Sequence, residues 1–162
     1  FDDVWLPPDA LVGTDGNGWA QVNAELAFER AGPERIYSSA ILLDLWAQSL
    51  GPDPDPRDLD LLGRLTARLA ALRAMSVALT ARLADGHSPV TEAALFKDPG
   101  TGFEQDIPAL LADRIAADPD RPVNPDLAET LAFLLRLAPV FSLRGGTREI
   151  LRGMIARGLG LR

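Results

Sequence analysis

Residues 55–85 read DPRDLDLLGRLTARLAALRAMSVALTARLAD, and this stretch decides the fold. Its leucines recur at spacings of three and four, which puts them on one face of an α-helix. The stripe consists of Leu62, Leu65, Leu69, Leu72, Leu79 and Leu83, and only Ser76 interrupts it. Asp55 and Pro56 supply an N-cap and a first-turn proline. We therefore predict one helix from residue 55 to about residue 85, long enough for a helical bundle.

Helical spacing also marks the chain before this stretch. Residues 18–50 carry Val22, Leu26, Glu29, Pro33, Ile36 and Ala40 at intervals of three and four. Pro33 has no N–H to donate to the carbonyl of Glu29, four residues earlier, so we expect a kink or break there. The proline-rich run at residues 51–56 ends this helical region.

Two further long helical segments follow residue 85. One starts at Ser88, is interrupted by Asp-Pro-Gly-Thr-Gly at residues 98–102, and resumes towards Ala117. The other runs from 125 to 138 behind Asn124 as its cap. Its predicted inner face consists of Leu127, Leu131, Leu134 and Leu135.

A last short helix is predicted at residues 148–157, with Thr147 as its N-cap. Short connections between antiparallel helices favour an up-and-down arrangement. The predicted fold class is therefore all-α: a four-helix bundle with a short extra C-terminal helix. An N-terminal remnant of strand and linker precedes it.

That remnant occupies residues 1–18, which differ in texture from the rest of the chain. Residues 4–6, Val-Trp-Leu, precede two prolines and are typical of the end of a strand, whereas residues 13–18 form a glycine-rich turn cluster. We interpret residues 1–18 as the end of a preceding β domain and its linker.

Composition agrees with a helical domain and excludes several kinds of site. Leu and Ala supply 27 and 24 of the 162 residues, and both are strong helix formers. The net charge of −7 argues against a nucleic-acid surface. The absence of Cys excludes disulfides, thiolate catalysis and Cys-ligated zinc. With His87 as the single histidine, neither a Ser-His-Asp triad nor a multi-histidine metal site is expected.

Charged residues interrupt every leucine-rich run, so no membrane span is predicted. The first residues, Phe1-Asp2-Asp3-Val4, include no initiator Met and no signal-peptide pattern. We expect a cytoplasmic protein, and we expect this chain to begin inside a longer one.

Glu29 is the first residue that a plain bundle does not explain. It falls on the apolar stripe, three residues after Leu26 and four before Pro33. Removal from water raises the pKa of a carboxylate, which suits a general base near neutral pH. The alternative is a structural ion pair with Arg30, Arg35 or another arginine.

The second such feature is Arg-Gly-Gly-Thr-Arg-Glu-Ile-Leu-Arg at residues 144–152. Glycines before a helix N-terminus let the backbone approach a ligand closely, and the free N–H groups there favour an oxyanion or phosphate. The alternative is a tight turn between helices.

Several motifs, taken in their order along the chain, resemble the C-terminal part of an acyl-CoA dehydrogenase, and the resemblance spans nearly all 162 residues. They are Phe1-Asp2-Asp3-Val4 with Leu6-Pro7 and Gly13, Gly18-Trp19, Phe28-Glu29-Arg30, and Gly145-Gly146-Thr147-x-Glu149-Ile150-x-Arg152 with Ile155-Ala156-Arg157. The resemblance implies a flavoenzyme with an N-terminal helical domain, a middle β domain and a C-terminal helical bundle. Residues 1–18 would be the exit from the middle domain, and residues 19–162 the bundle domain.

The family resemblance implies FAD as cofactor and an acyl-CoA thioester as substrate, in fatty acid β-oxidation and lipid metabolism. In the family a glutamate removes the α-proton while hydride leaves the β-carbon for flavin N5, which yields a trans-2-enoyl-CoA. That base lies either just before the Gly-Thr pair of the last motif or on the first bundle helix before an Arg. The first position is Gly145 here, so the resemblance implies Glu29, followed by Arg30, as the base.

The same resemblance assigns the other site residues. Ala27, Phe28, Arg30, Gly145 and Gly146 would line the acyl-CoA side, with the N–H of Gly145 polarising the thioester carbonyl. Thr147, Arg148 and Glu149 would lie at the flavin. No metal site is implied.

One segment departs from the family pattern. Many members carry Arg-x-x-Phe-Gly at the turn between the first two bundle helices, where it reaches the flavin of a neighbouring subunit. Here residues 51–57 read GPDPDPR, and Asp53 and Asp55 would repel a pyrophosphate. Either FAD is held without this contact or a different subunit supplies it. We hypothesise the second, because related dehydrogenases form mixed tetramers in which flavin sites are shared unequally, although a homotetramer stays open.

The resemblance implies electron-transfer flavoprotein as the acceptor, and an oxidase of the same fold is an alternative. A second alternative is a non-catalytic partner subunit, favoured by the altered turn at 51–57. We expect His87 in an exposed turn, and Arg64, Arg68, Arg73 and Arg82 on a solvated or interface face. Trp19, Trp46 and the phenylalanines are expected in the core. Lys97-Asp98 and Phe103-Glu104, beside the predicted break, are assigned to packing or tetramer contacts.

Overall fold

A computed structural model of the chain describes residues 1–161. Its α-helices, in order, are α1 (Gly18–Ala31), α2 (Ala40–Ser49), α3 (Pro56–Ala84), α4 (Val90–Ala116), α5 (Pro125–Leu137) and α6 (Arg148–Gly158). Short 3₁₀ segments lie at Pro8–Ala10, Pro33–Arg35 and Ala138–Ser142.

Helix α4 is the centre of the molecule, since it packs against each of the other five α-helices. Helices α1 and α2 together occupy one position of a four-helix bundle, and α3, α4 and α5 occupy the others. This confirms the predicted bundle, and α6 is the predicted extra C-terminal helix. The core of the bundle includes the fully buried Ile36, Leu42, Leu65, Phe96, Phe103, Ile107, Leu111 and Leu127.

The stretch that decided the prediction forms α3 as expected. The Asp55 carboxylate caps the helix by accepting from the amide of Arg57 at 2.8 Å. Of the stripe, Leu65, Leu72 and Leu79 are buried, and Leu62, Leu69 and Leu83 pack half-buried against the core. Ser76 is buried as well, and its hydroxyl donates to the carbonyl of Ala31 at the end of α1 (3.0 Å). The polar interruption of the stripe therefore satisfies an otherwise free helix C-terminus.

Pro33 breaks the first helical region, as predicted, and divides it into α1 and α2. The predicted interruption of the third helix at residues 98–102 is wrong, because α4 passes through Pro99 without ending. A Cβ on Gly100 would lie 3.0 Å from Ile36 Cγ2 and 3.2 Å from the Arg35 carbonyl oxygen. The glycine therefore serves close helix packing here rather than a turn.

A second proline, Pro108, also lies within α4. It cannot donate to the carbonyl of Glu104, four residues earlier. The buried hydroxyl of Ser39 donates to that carbonyl instead, at 2.7 Å. A side chain from the start of α2 thus replaces the missing helix bond.

Several expectations about exposure need correction. Trp46, Phe96, Phe103 and Phe141 are buried, but Phe1, Trp19, Phe28 and Phe133 are exposed. Leu135, predicted on the inner face of its helix, is 42% exposed.

Residues 4–6 form no strand, and no strand occurs within residues 1–161. His87 is exposed, as expected. None of the helices described is long and apolar enough to cross a membrane.

Candidate functional site

The two features singled out in the sequence meet in space. Gly145 is buried against the end of α1 and the middle of α4. A Cβ built on Gly145 would lie 3.7 Å from Glu29 Oε1, 3.6 Å from Arg30 Cγ and 3.4 Å from Lys97 Cε. Glu29 Oε1 therefore lies within van der Waals contact of the Cβ that a side chain at position 145 would have.

Glu29 is held by one arginine at two points. The Arg35 guanidinium donates from Nη2 to Glu29 Oε1 at 2.6 Å and from Nε to the Glu29 carbonyl at 2.9 Å. This carbonyl is the one that Pro33 leaves without its helical partner. The Arg35 side chain is 8% exposed and that of Glu29 31%. The structural ion pair expected as the alternative role of Glu29 is therefore present, with Arg35 as the partner.

Arg30 connects α1 to the glycine turn. Its side chain is buried, and its Nε donates to the Gly145 carbonyl at 2.8 Å, across 115 residues of chain. Burial lowers the pKa of Arg30, although the neighbouring Glu29 opposes this shift. The contact fixes the peptide that carries Gly145 against the residue next to the candidate base.

The turn needs both of its glycines for conformational reasons. Gly145 has φ of 67° and Gly146 has φ of 100°, values that L-residues rarely adopt. A Cβ on Gly146 would lie 3.7 Å from Arg30 Nη2 and 3.8 Å from Leu151 Cδ2, which are ordinary contacts. Backbone geometry rather than lack of space therefore requires glycine.

The first turn of α6 carries the three residues assigned to the cofactor. Thr147 is the N-cap residue, and its side chain makes no capping hydrogen bond. Arg148 is directed to α4 instead, where its Nε donates to Asp98 Oδ1 at 2.6 Å, and Arg152 donates to the other oxygen at 3.1 Å. Glu149 is exposed, and a hydrogen bond from its own backbone amide lowers its pKa.

Two neighbouring residues on α1 differ sharply in exposure. Ala27 is 1% exposed and faces the interior, whereas Phe28 is 57% exposed. Ile150, on the first turn of α6, is similarly exposed at 56%. Of the residues assigned to the acyl-CoA side, Phe28 thus presents apolar surface and Ala27 does not.

A buried ionic cluster beneath the turn was not recognised as part of the site from the sequence. Lys97 and Glu104 on α4 are fully buried. Glu104 accepts from Arg144 at 2.9 Å and from the Ser38 amide at 3.0 Å. Lys97, Thr101 and Glu104 share the i, i+4, i+7 spacing of one helix face, and this was the signal available.

The acidic turn at 51–57 is largely neutralised within the chain. Asp55 pairs with Arg57 at 2.6 Å and with Arg114 at 3.1 Å, and the hydrogen bonds from Arg57 lower its pKa. Asp58, fully buried, pairs with Arg114 at 2.5 Å and also with Arg121. The expected repulsion of a pyrophosphate therefore falls mainly on Asp53.

The surface at α6 fits the uncharged part of a flavin better than its phosphates. The first amides of a helix have no intrahelical partners, and the Thr147 hydroxyl is not used as a cap. The Thr147 hydroxyl bonds the Glu149 carboxylate, so it is the remaining amides of this helix end that can bind ring and hydroxyl atoms. The exposed carboxylate of Glu149 at the same helix end would oppose a phosphate. No cluster of three or more metal-ligating side chains occurs in residues 1–161.

The bundle with its short C-terminal helix, and the glycine turn closing onto a glutamate, agree with the C-terminal domain that the resemblance to the acyl-CoA dehydrogenases implies. Sequence comparison agrees with this class. The chain is 30% identical over 165 residues to acyl-CoA dehydrogenase FadE29 of Mycobacterium tuberculosis (strain ATCC 25618 / H37Rv), covering 96% of this chain and 42% of the relative. No protein-family model matches the chain.

Structural comparison gives the same result. The solved structure described as Tcur3481-Tcur3483 steroid ACAD, in a glycine-to-alanine variant, matches with a TM-score of 0.77 and 28% identity. The match covers 97% of this chain and 43% of that one. The chain thus spans about two fifths of the length of both relatives. Together the two matches confirm the resemblance to the acyl-CoA dehydrogenase family. A chain that covers about two fifths of each relative fits a C-terminal part of such a protein.

Proposed function

We propose that this chain is the C-terminal helical domain of a flavin-dependent acyl-CoA dehydrogenase, with Glu29 as its catalytic base. The observation that carries the proposal is the position of Glu29 Oε1, 3.7 Å from where a Cβ on Gly145 would lie. The family resemblance names positions 29 and 145 as the two alternative sites of the base. The closeness of Glu29 Oε1 to a Cβ at 145 supports the view that either position can present a carboxylate to one site.

Glu29 is suited to this role because Arg35 orients it, donating to the carboxylate Oε1 at 2.6 Å and to the Glu29 carbonyl at 2.9 Å. The carboxylate accepts the α-proton of the acyl thioester, and the electron pair left at the α-carbon forms the double bond as hydride leaves the β-carbon. FAD, when bound, supplies the acceptor for that hydride. The acyl-CoA thereby becomes a trans-2-enoyl-CoA.

Gly145 supports proton removal through its backbone. Removal of the α-proton develops negative charge on the thioester oxygen, and a preorganised N–H stabilises that charge. The Arg30 bond to the Gly145 carbonyl holds the Gly145–Gly146 peptide, which directly follows the peptide that carries this N–H. Phe28 and Ile150 offer apolar surface to the acyl side, and Gly146 leaves the backbone open beside them.

Thr147 and Glu149 are the residues proposed to contact the flavin. Thr147 is half-exposed and Glu149 exposed at the start of α6, where the Thr147 hydroxyl and the Glu149 carboxylate lie next to each other. We propose that Arg148 acts indirectly, since its guanidinium is bound to Asp98 and orients α6 on α4.

The experiment that tests the base is Glu29→Gln in the full-length protein. Under anaerobic conditions, acyl-CoA substrates bleach the oxidised flavin absorbance of a dehydrogenase. We expect E29Q to retain bound flavin and to slow bleaching by about 10²–10⁴-fold, the usual contribution of a general base. Because one structural relative is described as a steroid ACAD, the substrates tested should include a steroid acyl-CoA as well as straight-chain thioesters.

Glu34→Gln is the matched control. Glu34 lies five residues further along, 56% exposed, with its carboxylate 3.6 Å from the same Arg35. This variant removes a carboxylate near Arg35 without touching Gly145, so bleaching should be unchanged. Equal rates in E29Q and the unmodified protein would remove Glu29 as the base.

The alternative function is a non-catalytic partner subunit in a mixed tetramer. The Glu29–Arg35 ion pair is compatible with it, because a carboxylate in a purely structural role would make the same contact. The altered turn at 51–57 favours it. In that case the full-length protein purified alone should not be bleached by any acyl-CoA, whereas four equivalent flavins in an active homotetramer would exclude it.

A further inference from the structure

The single lysine of the chain, Lys97, is fully buried in the middle of α4. Lysine is almost never fully buried without partners, because removing an ammonium group from water is costly. Every other basic residue of the chain is an arginine. The cost of burial and the position beneath the glycine turn call for a physical explanation.

Lys97 has two acceptors, and one of them lies just before the turn. Its Nζ donates to Thr101 Oγ1 one helical turn away and to the carbonyl of Phe141 at 3.2 Å. Phe141 belongs to the 3₁₀ segment Ala138–Ser142, which is followed within a few residues by Gly145. The lysine therefore joins the central helix to the segment that delivers the turn.

The stem of the lysine supports the turn directly. Lys97 Cε lies 3.4 Å from the point where a Cβ on Gly145 would be, and Glu29 Oε1 lies 3.7 Å from the same point. Lysine and glutamate thus approach Gly145 together, while Arg30 holds its carbonyl. Glu29 and Arg30 from α1 and Lys97 from α4 therefore together define the position of Gly145.

Charged groups from every neighbouring element act on the ammonium. Burial lowers the pKa of Lys97 to about 8, with Glu104 and Glu29 opposing the shift and Arg35 and Arg144 adding to it. These groups belong to α4, α1, the Pro33–Arg35 segment and the loop before α6. Lys97 would therefore change charge at a mildly alkaline pH.

We propose that Lys97 is a positioning residue that holds the Gly145–Gly146 turn against Glu29 through the Phe141 carbonyl. This inference rests on the proposed function, because its effect on turnover is exerted through the base and the Gly145 amide. Lys97 itself does not touch substrate. Misplacement of reacting groups by about 1 Å can cost 10²-fold in rate, so the loss of this support should be visible in turnover.

The test compares Lys97→Met and Lys97→Arg in the full-length protein. Methionine fills the apolar volume without donating, so we expect K97M to lower kcat for flavin reduction by about 10–100-fold with KM changed less than about threefold. Arginine keeps a charged donor, and K97R should recover at least half of the loss on a logarithmic scale. Arg82→Met, which removes an exposed cation paired with Glu92, is the control and should leave kcat unchanged.

The pH profile gives a signature that a purely structural lysine would not produce. In the unmodified protein, kcat should fall as pH rises through about 8, because loss of the proton from Lys97 weakens its charge-assisted bond to the Phe141 carbonyl. Because a guanidinium stays charged above pH 12, this alkaline limb should move upward in K97R. An identical limb in both proteins would overturn the proposal.

Hydrogen exchange provides a measurement that does not depend on activity. In K97M of the full-length protein, amides of residues 141–147 should exchange at least tenfold faster, with α3 and α5 unchanged and K97R restoring protection. Uniformly faster exchange, or no change at the turn, would overturn the proposal even where kcat falls. If no acyl-CoA reduces the flavin of the unmodified protein, the proposed function fails, and the exchange result still decides whether Lys97 holds the turn.

Discussion

Arg35 binds both the carboxylate and the main-chain carbonyl of Glu29, at 2.6 Å and 2.9 Å. The carbonyl is available because Pro33 cannot donate to it, so the helix break and the orientation of the candidate base have one cause. Helix α1 ends at Ala31, two residues after the partly buried carboxylate of Glu29. The same guanidinium satisfies the helix end and the carboxylate.

Removing this guanidinium should affect stability and catalysis together. Arg35→Met leaves the Glu29 carbonyl without a partner and its carboxylate without a cation. We expect a loss of about 2–3 kcal/mol in the free energy of unfolding, measured by urea denaturation, and slower flavin reduction. Arg35→Lys keeps the charge and should lose less on both measures. Equal stability of all three proteins would show that the contact contributes nothing.

The base should be transferable between its two positions. Glu29→Gly should slow flavin reduction about 10²–10⁴-fold, and adding Gly145→Glu should restore at least tenfold of that loss in spite of about 1–2 kcal/mol of backbone strain at φ of 67°. The reason is that a side chain at 145 extends towards the space that Glu29 Oε1 occupies. G145E with Glu29 retained is the control, and it should be slower than the unmodified protein because two carboxylates would share one place. No recovery in the double variant would contradict the spatial equivalence.

The two glycines of the turn should differ in their tolerance of alanine. At φ of 67°, Gly145→Ala enters the left-handed region and should cost about 1–2 kcal/mol. Gly146, at φ of 100°, lies outside that region, so G146A should cost more, about 2–3 kcal/mol. Gly63 in the interior of α3 faces open space, and G63A should instead stabilise by about 0.5–1 kcal/mol. Urea denaturation of the three variants measures these changes in the free energy of unfolding. A larger loss in G145A than in G146A would refute the prediction.

Asp98 should make the attachment of α6 sensitive to acid. Burial alone would raise the pKa of Asp98, but hydrogen bonds from Arg148 and Arg152 outweigh it and leave the pKa below its ordinary value. The stability it contributes is therefore complete above about pH 4 and is lost as pH falls through the lowered value. Denaturation between pH 7 and pH 3 should show less acid destabilisation in Asp98→Asn. Asp60→Asn, in an exposed pair with Arg64, should keep the full pH dependence.

Ser39 and Pro108 should depend on each other. Ser39→Ala leaves the buried Glu104 carbonyl without a donor and should cost about 1–3 kcal/mol. In a Pro108→Ala background the helix can supply its own N–H to that carbonyl, so the cost of S39A should fall by at least half. A double-mutant cycle by urea denaturation measures the coupling. Strict additivity would mean that the hydroxyl does not replace the missing bond.

Local patterns were sufficient where the physical cause was local. The leucine stripe, the Asp55 cap and the prolines predicted α3, the break at Pro33 and the later helix starts, because capping and missing N–H groups act within one turn. The same reasoning failed at residues 98–102. Pro99 and Gly100 carry the usual signals of a helix end, yet packing against Ile36 makes continuous helix the better solution there.

In the candidate site, too, some features follow from local sequence patterns and others depend on tertiary packing. The sequence by itself determined a helical bundle, a carboxylate on its apolar stripe and a glycine pair before a helix, since spacing and glycine chemistry are properties of the chain. Only the tertiary structure decided that Arg35 rather than Arg30 pairs with Glu29, and that Lys97 lies under Gly145. Contacts across 115 residues, such as Arg30 to Gly145, depend on how α1, α4 and the loop before α6 pack, and no local pattern specifies that packing.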